Sequence, residues 1–159
     1  MQTSLPDSVQ IVAAKPAEAA VLTEIAFTAK QHWDYPVRWL ELWRDTLTVT
    51  PEFLAANETH VALHQGGAVG FYSLTGSGKH LQLEHLWVRP VAMGVGIGSA
   101  LFTHAIARAR VRGARMLLIE SDPNAEGFYR RMGAKPDGIR HSEADGQVRE
   151  LPLLRFEIS

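Results

Sequence analysis

The chain has 159 residues, the size of one ordinary domain, and a chain that long buries roughly 70% of its unfolded surface on folding. Hydrophobic residues make up 46% and charged residues 21%, a globular rather than a disordered mix; the net charge of −1 gives no bulk reason to expect nucleic acid or an anionic membrane as a partner. No apolar run approaches the ~18 residues of a membrane span, the opening MQTSLPDSVQ does not read as a signal peptide, and the lack of cysteine removes disulfides, thiolate metal sites and a cysteine nucleophile. The expectation is a single cytoplasmic domain over residues 1–159, with no repeat and no low-complexity linker.

In chain order, Val9 to Ala14 is a short β-branched run closed by Pro16 and predicts a strand. Residues 17–31 carry Ala20, Val21, Ile25 and Ala29 near helical spacing, with Leu22 and Phe27 widening the stripe. His32 to Pro36 breaks that helix. A second helix follows with Trp39, Leu40, Trp43 and Leu47 on one side, and Thr50-Pro51-Glu52 predicts the cap and first turn of a short third one. Thr59 to His64 and Ala68 to Leu74 predict a hairpin around Gln65-Gly66-Gly67. A loop over Thr75 to Lys79 and a long strand from Leu81 to Val88 come next. Ile97, Leu101, Ala105 and Ala109 align on one face of a helix that Gly113 stops. Met116 to Ile119 is a solid apolar run, expected of a strand covered on both faces. Asp122-Pro123 begins a helix running to about Met132, capped by Gly133. A hairpin around Asp145-Gly146 closes the chain, with an edge or bulge expected at Pro152 in its second strand. The order β-αα-βββ-α-β-α-ββ gives an α/β (α+β mixed) fold, a mixed sheet with helices on its faces.

The most informative stretch is Leu86-Trp87-Val88-Arg89-Pro90-Val91-Ala92-Met93-Gly94-Val95-Gly96-Ile97-Gly98-Ser99. A strand leads into a turn with glycine at alternate positions, and the turn opens directly into a helix. Glycine lets backbone approach a ligand closely, and the first helical N–H groups have no internal partner, so the arrangement suits phosphate oxygens without a charged side chain. Tight strand-to-helix packing alone explains the same glycines, and the sequence leaves both readings open. A Walker loop is excluded because Gly98 is followed by Ser99-Ala100. A dinucleotide G-x-G-x-x-G is excluded because Ser99 and Leu101 stand where its last glycine would fall.

With these residues in view, the chain resembles a Gcn5-related N-acetyltransferase (GNAT). Val88, Pro90, Gly96 and Gly98 match that family's strand-to-glycine signature, and Gly94 is a common choice there. Asn124, Phe128, Tyr129 and Gly133 match its second motif, in the right order and separation. Met93 departs from the pattern, standing where the family usually has the Arg or Gln that helps hold a pyrophosphate. The resemblance implies a central mixed, mostly antiparallel, splayed sheet flanked by helices on both faces, and acetyl-CoA as donor. Pantetheine amides are then expected along Leu86, Trp87 and Val88, and the pyrophosphate on Met93, Gly94, Val95, Gly96, Ile97, Gly98 and Ser99. Asn124 is expected against the pantetheine arm, with Phe128 and Tyr129 walling the site.

Transfer to an amine needs a base, an oxyanion donor and a proton for the departing thiolate. The resemblance puts the base at Gln82 or Glu84. Only Glu84 takes a proton at neutral pH, and burial beside Leu83, Leu86 and Trp87 is expected to raise its pKa. The resemblance assigns the acid to Tyr129 and the oxyanion donor to a backbone N–H near Val88. A surface glutamate and a packed tyrosine are the bland alternatives for the two side chains.

His60 and His64 sit ~13 Å apart on a predicted strand, and no H-E-x-x-H is present, so no metal is expected. His85 points to the face opposite Glu84 if the strand is regular. Trp39 and Trp43 form a stripe one turn apart, whereas Trp33 and Tyr35 lie in an inter-helix loop that borders the acceptor site in resembling enzymes. Residues 30–58 carry a net charge of −2, which mildly suits a cationic amine. The expected activity is acetyl-CoA-dependent N-acetylation of a primary amine by direct attack, the acceptor being a small molecule or a peptide N-terminal or lysine amine. A non-catalytic acyl-CoA-binding module of the same fold is the alternative, and another kind of nucleotide binder a weaker third. The resemblance also carries a homodimer, although no exposed seam in the sequence marks one.

Overall fold

The structure, a computed structural model, describes residues 8–159; the first seven residues of the segment read above for a signal peptide lie outside them. The elements are β1 (Val9–Ala13), α1 (Ala19–Gln31), α2 (Val37–Leu42), α3 (Arg44–Leu47), α4 (Pro51–Ala56), β2 (Glu58–His64), β3 (Gly67–Ser77) and β4 (His80–Val88), then α5 (Ile97–Val111), β5 (Met116–Glu120), α6 (Glu126–Arg131), β6 (Lys135–Ala144) and β7 (Gln147–Glu157). The seven strands form one sheet in the order β1-β2-β3-β4-β5-β7-β6. β4 and β5 run parallel, while β1 with β2, β5 with β7 and β6 with β7 are antiparallel. A mixed, mostly antiparallel sheet accompanied by helices is therefore the architecture.

Local chemistry accounts for most boundaries. Thr50 accepts a hydrogen bond from the Phe53 N–H at 3.0 Å and Pro51 occupies the first turn of α4, the pairing expected of a polar cap and a residue with no N–H to spare. The loop expected over Thr75 to Lys79 is far shorter, because Gly76 (φ 90°) and Gly78 (φ 77°) let β3 continue to Ser77 and β4 start at His80. The second predicted helix divides into α2 and α3 at Trp43, whose ψ of 5° is not helical. The helix predicted from Pro123 begins instead as a 3-10 turn over Pro123–Ala125 before α6.

Three expectations about burial and edges are corrected. On α1 the buried stripe is Ala19, Leu22, Ile25, Ala26, Ala29 and Lys30, while Ala20 and Val21 face solvent. On β5 only Leu117 and Ile119 are fully buried, and Met116 and Leu118 are half-buried, so one face is covered better than the other. Pro152 is neither at an edge nor in a bulge: β7 lies between β5 and β6, and the irregularity falls in β6 between Pro136 and Gly138. Pro152 is tolerated because the β5 ladder spans only Leu153 to Glu157. Its carbonyl accepts from the Ser121 N–H at 2.8 Å, and a residue's N–H and C=O point the same way in a strand, so the missing N–H faces a stretch past the end of β5.

The chain divides into two compact units. One takes the chain through Ser73 together with His85–His104, and the other takes Leu74–Glu84 with Ala105–Ser159. The first has its own core, in which Leu22, Ile25, Ala26, Leu47, Val61 and Phe71 pack with Phe53, Trp43 and Trp87 around them. The second buries Leu81, Leu117, Ile119, Leu154 and Tyr129.

Candidate active site

In the first unit, the end of β4 and the turn after it are fixed by backbone geometry. The β4–β5 register runs from His80↔Met116 to Leu83↔Ile119 and stops, so Glu84 to Val88 continue without a β5 partner. Arg89 anchors the exit of the strand: its N–H donates to the Val69 carbonyl at 2.8 Å, its Nε to the Ala68 carbonyl at 2.8 Å, and its Nη1 to Glu24 of α1 at 2.6 Å. Pro90–Ala92 makes a single 3-10 turn, and Met93 leaves it extended. Gly94 (φ 84°) and Gly96 (φ 91°) then adopt the left-handed backbone that other residues avoid. A Cβ on Gly94 would meet nothing within 4 Å, so backbone freedom and not crowding requires glycine there. α5 begins at Ile97, and its first internal bond runs from the Ala100 N–H to the Gly96 carbonyl at 3.0 Å. The N–H groups of Ile97, Gly98 and Ser99 precede that bond, and with the helix dipole they favour an anion. Leu86, Trp87 and Val88 are half-buried, as are Met93, Val95, Gly96 and Gly98; Ile97 is buried, and Gly94 and Ser99 are exposed.

β4 alternates as its sequence implies, with Leu81, Leu83 and His85 buried and Gln82 and Glu84 exposed. Glu84, in the second unit, is thus on the expected face, but its expected burial is not found. The reason lies in the alternation itself: Leu83 is a neighbour along the chain on the other face of the sheet. The Glu84 carboxylate accepts a long hydrogen bond from Thr75 Oγ1 at 3.5 Å. His85, 7% exposed, is held neutral: burial lowers its pKa to about 4. Its Nδ1 accepts from the Trp87 indole N–H at 3.0 Å, and its ring lies 5.6 Å from those of Phe53 and Phe71.

The second motif lies in the second unit. Asp122 caps the turn at Pro123, accepting from the Asn124 backbone N–H at 2.8 Å and the Asn124 side chain at 2.9 Å, which fixes the orientation of Asn124. Arg149 stands 4.0 Å from the other Asp122 oxygen. On α6, Phe128 packs edge-to-face against Tyr129 with centroids 5.2 Å apart. Tyr129 is 7% exposed, and burial, with the charge of Asp122 second, pushes its hydroxyl above the ordinary tyrosine range. It therefore keeps its proton at neutral pH.

Lys30 was not among the sequence candidates. The only signal for it was its place in the series Leu22, Ala26, Lys30, which puts a lysine on the buried stripe of α1. Among the described residues no group of three His, Asp or Glu could hold a metal ion, and no helix is long and apolar enough to cross a membrane.

A mixed α/β sheet whose strand β4 opens through a left-handed glycine turn onto a helix start is an arrangement able to take a phosphate-bearing group with backbone alone. The comparisons make that arrangement specific. The model of the Acetyltransferase (GNAT) family matches residues 22–134. Over 116 residues the chain is 34% identical to the peptidyl-lysine N-acetyltransferase YjaB of Salmonella typhimurium, covering 73% of this chain and 70% of that one. The crystal structure of a GCN5-related N-acetyltransferase, named aminotransferase, class-II, from Rhodopseudomonas palustris matches with a TM-score of 0.80 at 25% identity, over 99% of this chain and 98% of that one. The PaiA N-acetyltransferase of Thermoplasma acidophilum, solved in complex with coenzyme A, shares the fold with a TM-score of 0.73 at 17% identity, over 94% and 99% of the two chains. The chain belongs to the acetyltransferase (GNAT) family and is an acyltransferase.

Proposed function

We propose that the protein transfers an acetyl group from acetyl-CoA to a primary amine of the lysine type, the 159 residues working as one acetyltransferase domain. The observation that carries this reading is the left-handed turn at Gly94 and Gly96 leading to the N–H groups of Ile97, Gly98 and Ser99, in a chain that belongs to this family. The coenzyme A bound to the Thermoplasma protein and the peptidyl-lysine specificity in the name of the Salmonella one support the donor and the acceptor. The donor supplies an activated thioester carbonyl.

The chain's residues do the rest. The turn holds the pyrophosphate with backbone N–H groups, which leaves room for Met93 in place of a charged partner. Backbone from Glu84 to Val88 runs on past the β5 register, and Leu86 and Val88 pair with the pantetheine amides as an added strand would. Asn124, oriented by Asp122, and Phe128 line the arm. Glu84, exposed and so able to work through water, takes a proton from the acceptor ammonium. The freed amine attacks the thioester carbon, a backbone N–H near Val88 stabilises the oxyanion, and the C–S bond breaks. Tyr129 donates its O–H hydrogen bond to the departing thiolate. Because its pKa lies well above the ~8.5 of an alkyl thiol, full transfer of the phenolic proton is uphill, and the proton lost by the attacking nitrogen completes the balance. The products are the N-acetyl amide and the CoA thiol.

Calorimetric titration with acetyl-CoA, CoA and ATP, on the wild type and on Gly96→Trp, tests the reading. Acetyl-CoA binding that the substitution abolishes is the expected result. Binding by none of the three, or by ATP alone, overturns it.

A further inference from the structure

Leu83↔Ile119 is the last pair between β4 and β5, and the next residue on each strand is a glutamate, Glu84 and Glu120. Paired residues of neighbouring strands point to one face, and that face returns at every second position. Glu84 and Glu120 therefore continue the face of the pair Gln82↔Leu118, and both are exposed. On its other side Glu120 pairs with Leu153 of β7, and two residues earlier Leu151 pairs with Arg140 of β6. The same alternation brings Arg140 onto this face, where it reaches across β7 to Glu120. Its Nε donates to Glu120 Oε1 at 2.9 Å, and its Nη2 donates to the same oxygen. Arg155, which pairs with Leu118 and so shares the face, is taken by Asp137 at 3.1 Å. All of these residues belong to the second unit.

A guanidinium meets a carboxylate most strongly as a fork on two oxygens. Here both donors close on Oε1, so Glu120 Oε2 keeps its acceptor capacity and has no partner among the described residues. The side chains are 53% and 43% exposed, and an ion pair so open to water adds little to stability. Its consequence is one of position, since it fixes where the second oxygen of Glu120 points.

The reaction calls for such a group. A lysine amine arrives as an ammonium, its pKa being ~10.4. The carboxylate that removes the proton is neutral afterwards, so Glu84 cannot both take the proton and hold the charge throughout. A second carboxylate holds the ammonium before the proton leaves. It binds the neutral amine weakly and the N-acetyl amide more weakly still, which favours substrate over product.

We propose that Glu120 is the acceptor-binding carboxylate of the site, taking the ammonium of a lysine-type acceptor on Oε2 beside Glu84, and that Arg140 is a positioning residue acting through Oε1. The proposal rests on acetyl transfer to a lysine-type amine. The face is open to solvent where the pairing of β4 with β5 ends, so the acceptor enters without displacing any element. Arg140 is also a cation on the same carboxylate, and its charge opposes the acceptor even as it orients Glu120.

The test measures binding without turnover. Nα-acetyl-lysine methylamide is titrated by calorimetry, with CoA present, into the wild type, Glu120→Gln and Arg140→Gln. Nα-acetyl-norleucine methylamide, which lacks the ammonium, is the control ligand. Both substituted side chains are exposed, so neither change strains the fold. The expected result is binding of the lysine amide about 5-fold weaker in Glu120→Gln, the upper range for an exposed ion pair, and roughly 2-fold tighter in Arg140→Gln. The norleucine amide should not distinguish the three proteins. Both substitutions break the same ion pair, so a merely structural contact moves binding in the same direction in both. That outcome overturns the proposal, as does equal affinity in the wild type and Glu120→Gln, or a wild type that does not bind the lysine amide. In turnover the loss in Glu120→Gln is expected in KM for the acceptor, whereas Glu84→Gln acts on kcat. A lysine amide whose binding depends on Glu120 but which is never acetylated in the presence of acetyl-CoA supports the carboxylate and defeats the transfer reading. Acetylation with an unchanged KM in Glu120→Gln defeats the carboxylate alone, so the two fail separately.

Discussion

Gly70 offers the sharpest structural test, because a single methyl group there meets the strand on which the proposed donor site depends. A Cβ on Gly70 of β3 would lie 2.8 Å from the Trp87 carbonyl oxygen, 3.1 Å from Leu101 Cδ1 and 3.4 Å from Val88 Cα. Its φ is not in the left-handed region, so alanine adopts the backbone freely and the whole effect comes from space. Leu101 can turn a terminal methyl aside. The Trp87 carbonyl cannot retreat without moving β4 at Trp87 and Val88. Overpacking of this kind costs about 1–3 kcal/mol, against which alanine recovers about 0.4–1 kcal/mol by restricting the unfolded chain. A net loss of about 1–2 kcal/mol corresponds to a fall in Tm of about 2–8 °C at this chain length. Gly67→Ala, in the same strand, is the control: its Cβ would meet only the His64 carbonyl, at 3.7 Å, so the same entropic gain applies with no clash. Thermal melts followed by circular dichroism give the stability, and calorimetric titration with acetyl-CoA gives the effect on the strand. The expected pattern is Gly70→Ala less stable and several-fold weaker in acetyl-CoA affinity, with Gly67→Ala equal to or better than the wild type in both. A Gly70→Ala protein melting within about 1 °C of the wild type would refute the reasoning.

Three further expectations concern protons. Tyr129→Phe and Glu84→Gln should each lower kcat by about 10²-fold in an assay of thiol release with a lysine peptide, and an unchanged kcat in either variant removes that residue from the mechanism. Tyr129 also marks the alkaline limit of stability. Its pKa is raised in the folded state, so its contribution is intact below pH ~10 and is lost as the pH rises beyond that; Tyr129→Phe should melt with less dependence on pH above 10. His85 works at the other end. Its folded pKa of about 4 lies below the free value of 6.5, so the unfolded chain binds the extra proton first, and stability is complete above pH 6.5 and declines as the pH falls towards 4. A gap of that size amounts to on the order of 3 kcal/mol. Melts between pH 7.5 and 4.5 should fall less steeply for His85→Phe than for the wild type, and parallel slopes would place the acid sensitivity elsewhere.

The glycine turn was legible because its signals are local. Pro90, the left-handed positions Gly94 and Gly96, and the helix face Ile97, Leu101, Ala105 and Ala109 are set by residues within a few positions of one another, and all four face residues are buried. Strand alternation likewise separated Glu84 from His85. What alternation could not tell was which face would be covered, since cover comes from elements distant in sequence. The expectation of a buried Glu84 therefore failed, although the face itself was right. The same limit hid Lys30. Its ammonium lies beside the rings of Tyr35, Trp43 and Trp87, which come from the turn at Asp34, the α2–α3 junction and β4, up to 57 positions further along the chain, and no spacing rule connects them. Pro152 misled for a related reason: proline argues against a central strand only where its missing N–H would face a partner, and here β5 ends before that point.

These observations give β4 a division of labour along its length. Up to Leu83 it is an ordinary interior strand, paired with β5 and burying every second side chain. From Glu84 onward the side chains and the backbone serve different ends. In the proposed mechanism exposed Glu84 serves the proton chemistry and the backbone from Leu86 to Val88 takes the donor as an added strand, while buried His85 holds an indole in place. Trp87 joins these tasks, because its carbonyl stands against Gly70, its N–H of the indole against His85 and its ring against Lys30. A shift of β4 at this one residue should then disturb the proposed donor strand, the indole held by His85 and the Lys30 contact together. Gly70→Ala moves the Trp87 backbone and Lys30→Ala removes a cation from beside its ring, so acting on one residue from two sides the pair should be non-additive in a double-mutant cycle on stability, by about 0.5 kcal/mol or more. Simple additivity would mean that the backbone and the ring of Trp87 work independently.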